Sequence, residues 1–317
     1  GRLLRLPVTR VSDTGDARLK WLKFAILGGI IGIAIFAPDY TVKAAEVEPF
    51  KTAISAFFVR KIIAQAHAVP DRDALFALAG LDGPQDTSPA RMVTAACYAK
   101  LLEAIAESEA PDIAFHLRTS ASMRCEEYGA VGLAWKTAPT LRQSFQRMDR
   151  YALTFNKISV FKMMLQGDEC LWTHYKPQPE RLGHHLSNEA GLGTFLSFCR
   201  EATRPDFTPL RVQFRHQDPG TKRAAEAFFG CEVSYGARID ALVLSPDQLD
   251  TRNTVGDESV WRFFSSHLAD LATPETKTGT EGLDATASEA AKTAADNAAL
   301  DRRVEETLTR MLSTGVP

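Results

Sequence analysis

Glu126-Glu127-Tyr128-Gly129-Ala130-Val131-Gly132-Leu133-Ala134-Trp135-Lys136-Thr137-Ala138-Pro139-Thr140-Leu141-Arg142-Gln143-Ser144-Phe145-Gln146-Arg147-Met148-Asp149-Arg150-Tyr151 is the stretch on which the fold turns. It reads as a glycine-containing segment followed by a helix. Thr140 stands where a helix N-cap belongs. Leu141, Phe145, Met148 and Ala152 recur at spacings of three and four, which makes one apolar face of a helix over Thr140–Phe155. The chain then changes period. Ile158–Leu165 predicts a strand, Gln166–Glu169 a turn, and Cys170–Tyr175 the returning strand of a hairpin that Pro177 and Pro179 end. Further on, the pattern predicts a helix over Ser187–Thr203 and a strand over Leu210–His216. A helix over Lys222–Phe229 closed by Gly230 comes next, then short strands at Val233–Tyr235 and Ala241–Leu244. An amphipathic helix is predicted over Glu258–Leu271.

Upstream of the opening stretch the signals are helical. Ile54, Phe57, Phe58, Ile62 and Ala66 share a face within a helical region of residues 52–80. Pro70-Asp71 restarts the chain, Asp71 caps a short helix through Leu78, and Gly80 stops it. A third helix is expected over about Pro89–Glu107. Taken together, the fold class is α+β: an N-terminal helical layer followed by a mainly antiparallel sheet with packed helices.

The totals are those of a globular protein with a sizeable core, 45% hydrophobic and 24% charged over 317 residues. A formal net charge of −2 supplies no basic field for bulk nucleic-acid binding. Cys97, Cys125, Cys170, Cys199 and Cys231 form no CxxC pair and read as reduced thiols. Residues 1–50 read as an N-terminal extension with a hydrophobic segment at 21–37. The first methionine is Met92, as expected of a fragment or a processed chain. The uncharged run Phe24–Ala37 is shorter than the roughly 17–25 residues of a spanning helix, and its basic flank suits a signal h-region or a membrane contact. Residues 52–272 form the expected α+β domain. Residues 273–298 carry almost no large apolar side chain and read as a flexible linker. Residues 299–317 start another helix, with Val304, Leu308 and Leu312 on one face.

The chemistry-bearing motifs are weak. His184-His185, with His174 nearby, lacks the partners of a metal site at ligand spacing. There is no GxxxxGK[ST], GxGxxG or GxSxG. No catalytic residues, metal or cofactor are therefore assigned, and the chain is not expected to be an enzyme. The candidate ligand-binding residues are the aromatics Trp135, Tyr151, Phe155, Trp172, Tyr175 and Phe214. Singly, each is more often core than pocket; as a set they suit a mostly apolar cavity.

Several segments, in order, carry a resemblance: Ala53-Ile-Ser-Ala-Phe-Phe-Val-Arg-Lys-Ile-Ile-Ala64, Leu75-Phe-Ala-Leu-Ala-Gly-Leu81, Tyr128-Gly-Ala-Val-Gly-Leu-Ala134 and Thr140-Leu-Arg-Gln-Ser-Phe145. Val212-Gln-Phe-Arg-His-Gln-Asp-Pro219, Phe228-Phe-Gly-Cys-Glu-Val-Ser-Tyr-Gly-Ala237 and Asp240-Ala-Leu-Val-Leu-Ser245 continue it. Residues 52–317 resemble the ligand-sensing half of AraC-family transcription regulators, in the subgroup with an arabinose-binding-type sensor and not a cupin. The resemblance implies a cytoplasmic effector-sensing domain that binds a small, largely apolar metabolite. It also implies that residues 299–317 open the family's helix-turn-helix domain, truncated here, through which DNA is bound. Other partners left open are a second copy of the chain, as a homodimer, and a membrane at Phe24–Ala37. The alternative function is a membrane-anchored or exported binding protein, associated with the inner membrane through residues 21–37. Deleting residues 1–50 is expected to leave a soluble domain that melts cooperatively, measured by circular dichroism. Loss of cooperative melting in the truncated form alone would put Phe24–Ala37 in the core.

Overall fold

Side-chain caps decide where the first helices begin. In the computed structural model, residues 53–67, 69, 71–86, 91–151, 159–175, 180–263, 306–310 and 312 are described, apart from the side chains of 149–151. Strand β1 (Ala53–Ser55) pairs antiparallel with β2 (Met92–Thr94). Each strand ends on a hydroxyl residue that turns the chain into a helix. Ser55 Oγ accepts from Phe57 N at 3.2 Å and starts α1 (Ala56–Gln65). Thr94 Oγ1 accepts from Cys97 N at 3.2 Å and starts α3 (Ala95–Glu109). Between them, Asp71 Oδ1 accepts from the Asp73 and Ala74 amides and starts α2 (Arg72–Leu78). The two strands replace the helical starts expected near residues 52 and 89. The β-branched Ile54 and Val93 sit opposite each other there, where a paired ribbon buries both. With α4 (Phe115–Ser122), these helices enclose a core that includes Val59, Ile62, Leu101, Leu102, Ile105 and Phe115.

The glycine segment of the opening stretch is itself helical. A 3-10 turn at Cys125–Tyr128 runs into α5 (Gly129–Thr137), and α6 (Leu141–Tyr151) follows. A Cβ on Gly132 would stand 1.7 Å from the Cys125 carbonyl oxygen, so this turn and helix pack closely only around glycine. Helix α7 (Leu182–Ala202) begins before the expected Ser187. The cap that permits this comes from another element. Glu103 on α3 accepts from Gly183 N at 3.0 Å and from Arg181 Nε at 2.7 Å, and pairs also with Arg181 Nη2. The Arg181 hydrogen bond is the main reason the Glu103 pKa is lowered.

The sheet runs β3 (Val160–Gln166), β4 (Glu169–Tyr175), β7 (Asp240–Leu244), β5 (Arg211–Gln213), β6 (Val233–Ser234) in spatial order. It is antiparallel except for the β5–β6 pair. Gly167, at φ 59°, takes the first central position of the two-residue β3–β4 turn, where a type II′ hairpin needs a positive φ. Alternation gives the sheet two apolar faces. Cys170, Trp172, Val212, Leu242 and Leu244 face the main core with α5, α6, α7 and α8 (Lys222–Phe229). Val160, Leu171, Ile239, Ala241 and Val243 face the other way, where Leu308 packs on them. On that outer face Arg211 makes two bonds of 2.6 Å to Glu169, across the intervening β7. Ser245 and Gln248 form a capping box at α9 (Pro246–Leu249). Residues 258–263 are helical as expected. The rest of that helix, the segment Phe24–Ala37, the linker 273–298, Phe155 and the Tyr151 side chain lie outside the described residues. All five cysteines are free thiols.

Helices α3 and α7 cross at Gly183, where a Cβ would meet the Ala99 carbonyl oxygen at 2.2 Å. Backbone cannot step aside as a flexible side chain does. Gly183→Ala is therefore expected to cost about 1–3 kcal/mol, as overpacking does, read from urea unfolding. A loss below about 0.5 kcal/mol, the range of ordinary surface changes, would show that the crossing yields.

Candidate functional site

Between the helical layer and the sheet lies a cavity of about 70 Å³. Helix α7 builds one wall with Ser187, Ala190, Gly191 and Thr194, a stripe of small residues at helical spacing, flanked by Phe195 and Phe198. Helix α1 contributes Phe58 and Ile62, α3 Tyr98, and α4 Thr119. Met123, Tyr128, Met148 of α6 and Phe161 of β3 close the remaining sides. Phe58, Ser187, Ala190 and Gly191 are the half-buried members and mark the side toward solvent.

No lining residue carries a charged side chain. The polar groups are hydroxyls. Thr119 donates to Phe115 O at 2.8 Å and Thr194 to Ala190 O at 2.9 Å, each back into its own helix, which leaves their oxygens as acceptors. Burial pushes the pKa of both Tyr98 and Tyr128 up, so both phenols keep their protons. The Tyr128 hydroxyl lies 3.9 Å from Met123 Sδ. The wall is thus apolar and aromatic, with neutral hydrogen-bonding groups at a few points. Two methionines add side chains that repack easily.

Of the six aromatic residues expected to bind ligand, Trp135, Trp172, Tyr175 and Phe214 do not line this cavity, while Phe155 and the Tyr151 side chain lie outside the described residues. Trp135 and Trp172 are fully buried and stand directly behind it. Trp172 is stacked on Phe161 at 5.8 Å and meets Phe195 edge-on at 5.1 Å. Trp135 lies 5.7 Å from Phe195 and 5.9 Å from Phe198. Phe214 packs elsewhere, against Phe229, Tyr235 and His216. Tyr175 belongs to the outer face of the sheet. Large aromatic rings fill space, so they mark the core; a hole needs small residues with rings beside them. The usable signal was the stripe Ser187, Ala190, Gly191, Thr194 next to Phe195 and Phe198.

The same helix carries a buried carboxylate, Glu189, with no exposed surface. His116 Nε2 of α4 lies 2.7 Å from one oxygen. His216 Nε2, following β5, lies 3.1 Å from the other, which also accepts from Thr221 Oγ1 at 2.8 Å and Tyr235 at 3.3 Å. Burial pushes the Glu189 pKa up, but the hydrogen bonds and charges of His116 and His216 outweigh it and lower it to about 2. His216 stacks on His185 at 4.4 Å, and His185 bonds Glu180 at 2.7 Å. His184 and His185 therefore do not act as a pair, and among the described residues no group of three His, Cys, Asp or Glu could hold a metal ion.

A carboxylate with a depressed pKa contributes stability that is complete above its unfolded pKa, near 4.5, and is lost as pH falls toward about 2. Glu189→Gln is expected to lose about 3 kcal/mol at pH 7, by urea unfolding. Its deficit against the unsubstituted protein should shrink as pH drops below about 4.5. A deficit independent of pH would mean that the charge is not what holds this cluster.

Comparison with known proteins places this geometry. A family model described as the arabinose-binding domain of AraC transcription regulators, N-terminal, matches residues 70–253. No curated protein matches the sequence. Among solved structures, the crystal structure of the transcriptional regulator CdpR from Pseudomonas aeruginosa is similar at 18% identity and a TM-score of 0.46. The match covers 64% of this chain and 60% of that one. The chain thus spans less than two thirds of the length of that regulator. With more than half of its residues inside the family match, the chain belongs to the AraC-type transcription regulators through their arabinose-binding-type N-terminal domain.

Proposed function

We propose that residues 52–272 form the effector-sensing domain of an AraC-type regulator, and that the effector occupies the cavity between α1, α7 and β3. The supporting observation is the wall itself: aromatic, flexible at two methionines, and free of charged side chains. Such a wall suits a small, largely apolar molecule with one or two neutral polar groups. It does not suit a free sugar, whose hydroxyls on every side would lose water without gaining partners. At about 70 Å³ the cavity is smaller than the roughly 300–1,000 Å³ of typical ligand sites. The effector therefore enters by moving wall residues, and that movement is the signal. In this reading residues 273–298 link the sensor to a helix-turn-helix unit, which residues 299–317 begin and which reads DNA. The protein then acts in the cytoplasm, and its binding site performs no chemistry. Among the described residues no helix is long and apolar enough to cross a membrane.

Medium-chain alcohols are suitable probes, since they pair an alkyl chain with one neutral hydroxyl. A ligand at a hundred times its Kd stabilises by about 2.7 kcal/mol. That raises the Tm of a domain of this size by several degrees. 1-Octanol and 1-decanol are expected to raise Tm and arabinose to leave it unchanged. Thr194→Leu, which fills the cavity, should abolish the shift. Stabilisation by arabinose, or an alcohol shift that survives Thr194→Leu, would overturn this assignment of the site.

A further inference from the structure

The outer face of the sheet is covered by a segment of this same chain. In the helical residues 306–310 and 312, Leu308 is only 1% exposed against Val160, Leu171 and Val243, and Leu312 packs beside it one turn later. Arg238 Nη1 donates to the Leu312 carbonyl oxygen at 3.1 Å and fixes the end of the segment. The contact is apolar at its centre and hydrogen-bonded at its edge, as a specific docking surface is.

The two faces of the sheet meet in β3. Phe161 lines the cavity, while Val160 next to it and Met164, two pleat repeats beyond Val160, support the tail segment. Strand β3 is at the sheet edge, bonded to β4 alone among the described strands. Of the two edge strands it is the one that reaches the cavity, and a shift of it disturbs one ladder, that with β4. The Phe161 ring cannot easily rotate out of the way: it is stacked on His174 at 4.4 Å and on Trp172 at 5.8 Å. Across the cavity stands Gly191, where an added Cβ would lie 3.1 Å from His174 Cε1 and 3.7 Å from Phe161 Cζ. Bulk placed there presses on Phe161 and His174, and the pressure passes to the strands that carry them.

We infer that residues 306–312 are a latch docked on the outer sheet face, and that filling the cavity releases them by displacing β3. The inference rests on reading the cavity as the effector site, but its test needs no effector. Hydrogen exchange of the full chain, followed by mass spectrometry, reports the protection of the amides in 306–312. Leu308→Asp removes the seat and should speed that exchange by about tenfold or more, as local opening does. Gly191→Leu supplies the bulk of a ligand permanently. It should speed exchange in 306–312 by about fivefold while leaving the central strand β7 protected. Equal exchange in the unsubstituted protein and Leu308→Asp would show that the tail is not docked. Gly191→Leu with unchanged tail protection would show that cavity and tail are uncoupled. If circular dichroism shows Gly191→Leu unfolded, Gly191→Ala takes its place, with about twofold faster tail exchange expected; unchanged exchange again overturns the coupling. Failure of the alcohols to bind would leave these results untouched, so the two readings fail separately.

Discussion

A carboxylate shut away from water sets the terms for the rest of the domain. Glu189 has no exposed surface, yet it sits among groups that hold its pKa near 2. An ionised carboxylate in such a place costs several kcal/mol unless its lone pairs are filled. Here His116, His216, Thr221 and Tyr235 fill them, and each comes from a different part of the chain. One side chain of α7 therefore ties down α4, the turn after β5, the start of α8 and the end of β6. The helix is held tightly on that side while its small-residue stripe faces the cavity. Gly193, whose Cβ would come within 2.9 Å of Ser120 Oγ, adds a close approach between α7 and α4.

Much of the architecture is legible in the sequence, for identifiable reasons. The β3–β4 hairpin follows from alternating apolar residues around Gly167, and α8 ends where Gly230 adopts φ 74°. The Asp71 cap and the helix it starts are local, so they can be read locally. The misread boundaries all depend on distant partners. Helix α7 starts at Leu182 because Glu103, far away in sequence, accepts from the Gly183 amide of its first turn. Strands β1 and β2 exist only because they pair with each other. The glycine-containing segment reads as no particular element, and it is helical because the Cys125 carbonyl lies against Gly132.

The cavity was less legible than the fold, and the reason is physical. Trp135, Trp172 and Phe214 are the residues a composition-minded reading selects, and they are fully buried because large rings gain most from burial. A cavity is what remains where helix α7 offers Ser187, Ala190, Gly191 and Thr194 in place of larger side chains. Such a stripe is equally consistent with tight helix packing, as Gly183 and Gly193 on the same helix show. Only the position of the opposing elements separates the two outcomes. Opposite Gly183 runs the backbone of α3, 2.2 Å from an added Cβ; opposite Gly191 stand the rings of His174 and Phe161, at 3.1 and 3.7 Å from one.

That difference also explains why a sheet is a suitable wall for a sensor. Neighbouring residues in a strand point to opposite faces, so Phe161 and Val160 cannot move independently. Strand β4 carries the same two-faced arrangement, with Trp172 and His174 inward and Leu171 and Tyr175 outward. Its partner β7 is buried along its whole length and anchored to α7 by Asp240, which accepts from Asn188 at 2.9 Å. The centre of the sheet is thus held from both sides, while β3 pairs with β4 alone among the described strands. Phe161 inward and Val160 outward thus join the cavity wall to the surface on which Leu308 rests through one strand.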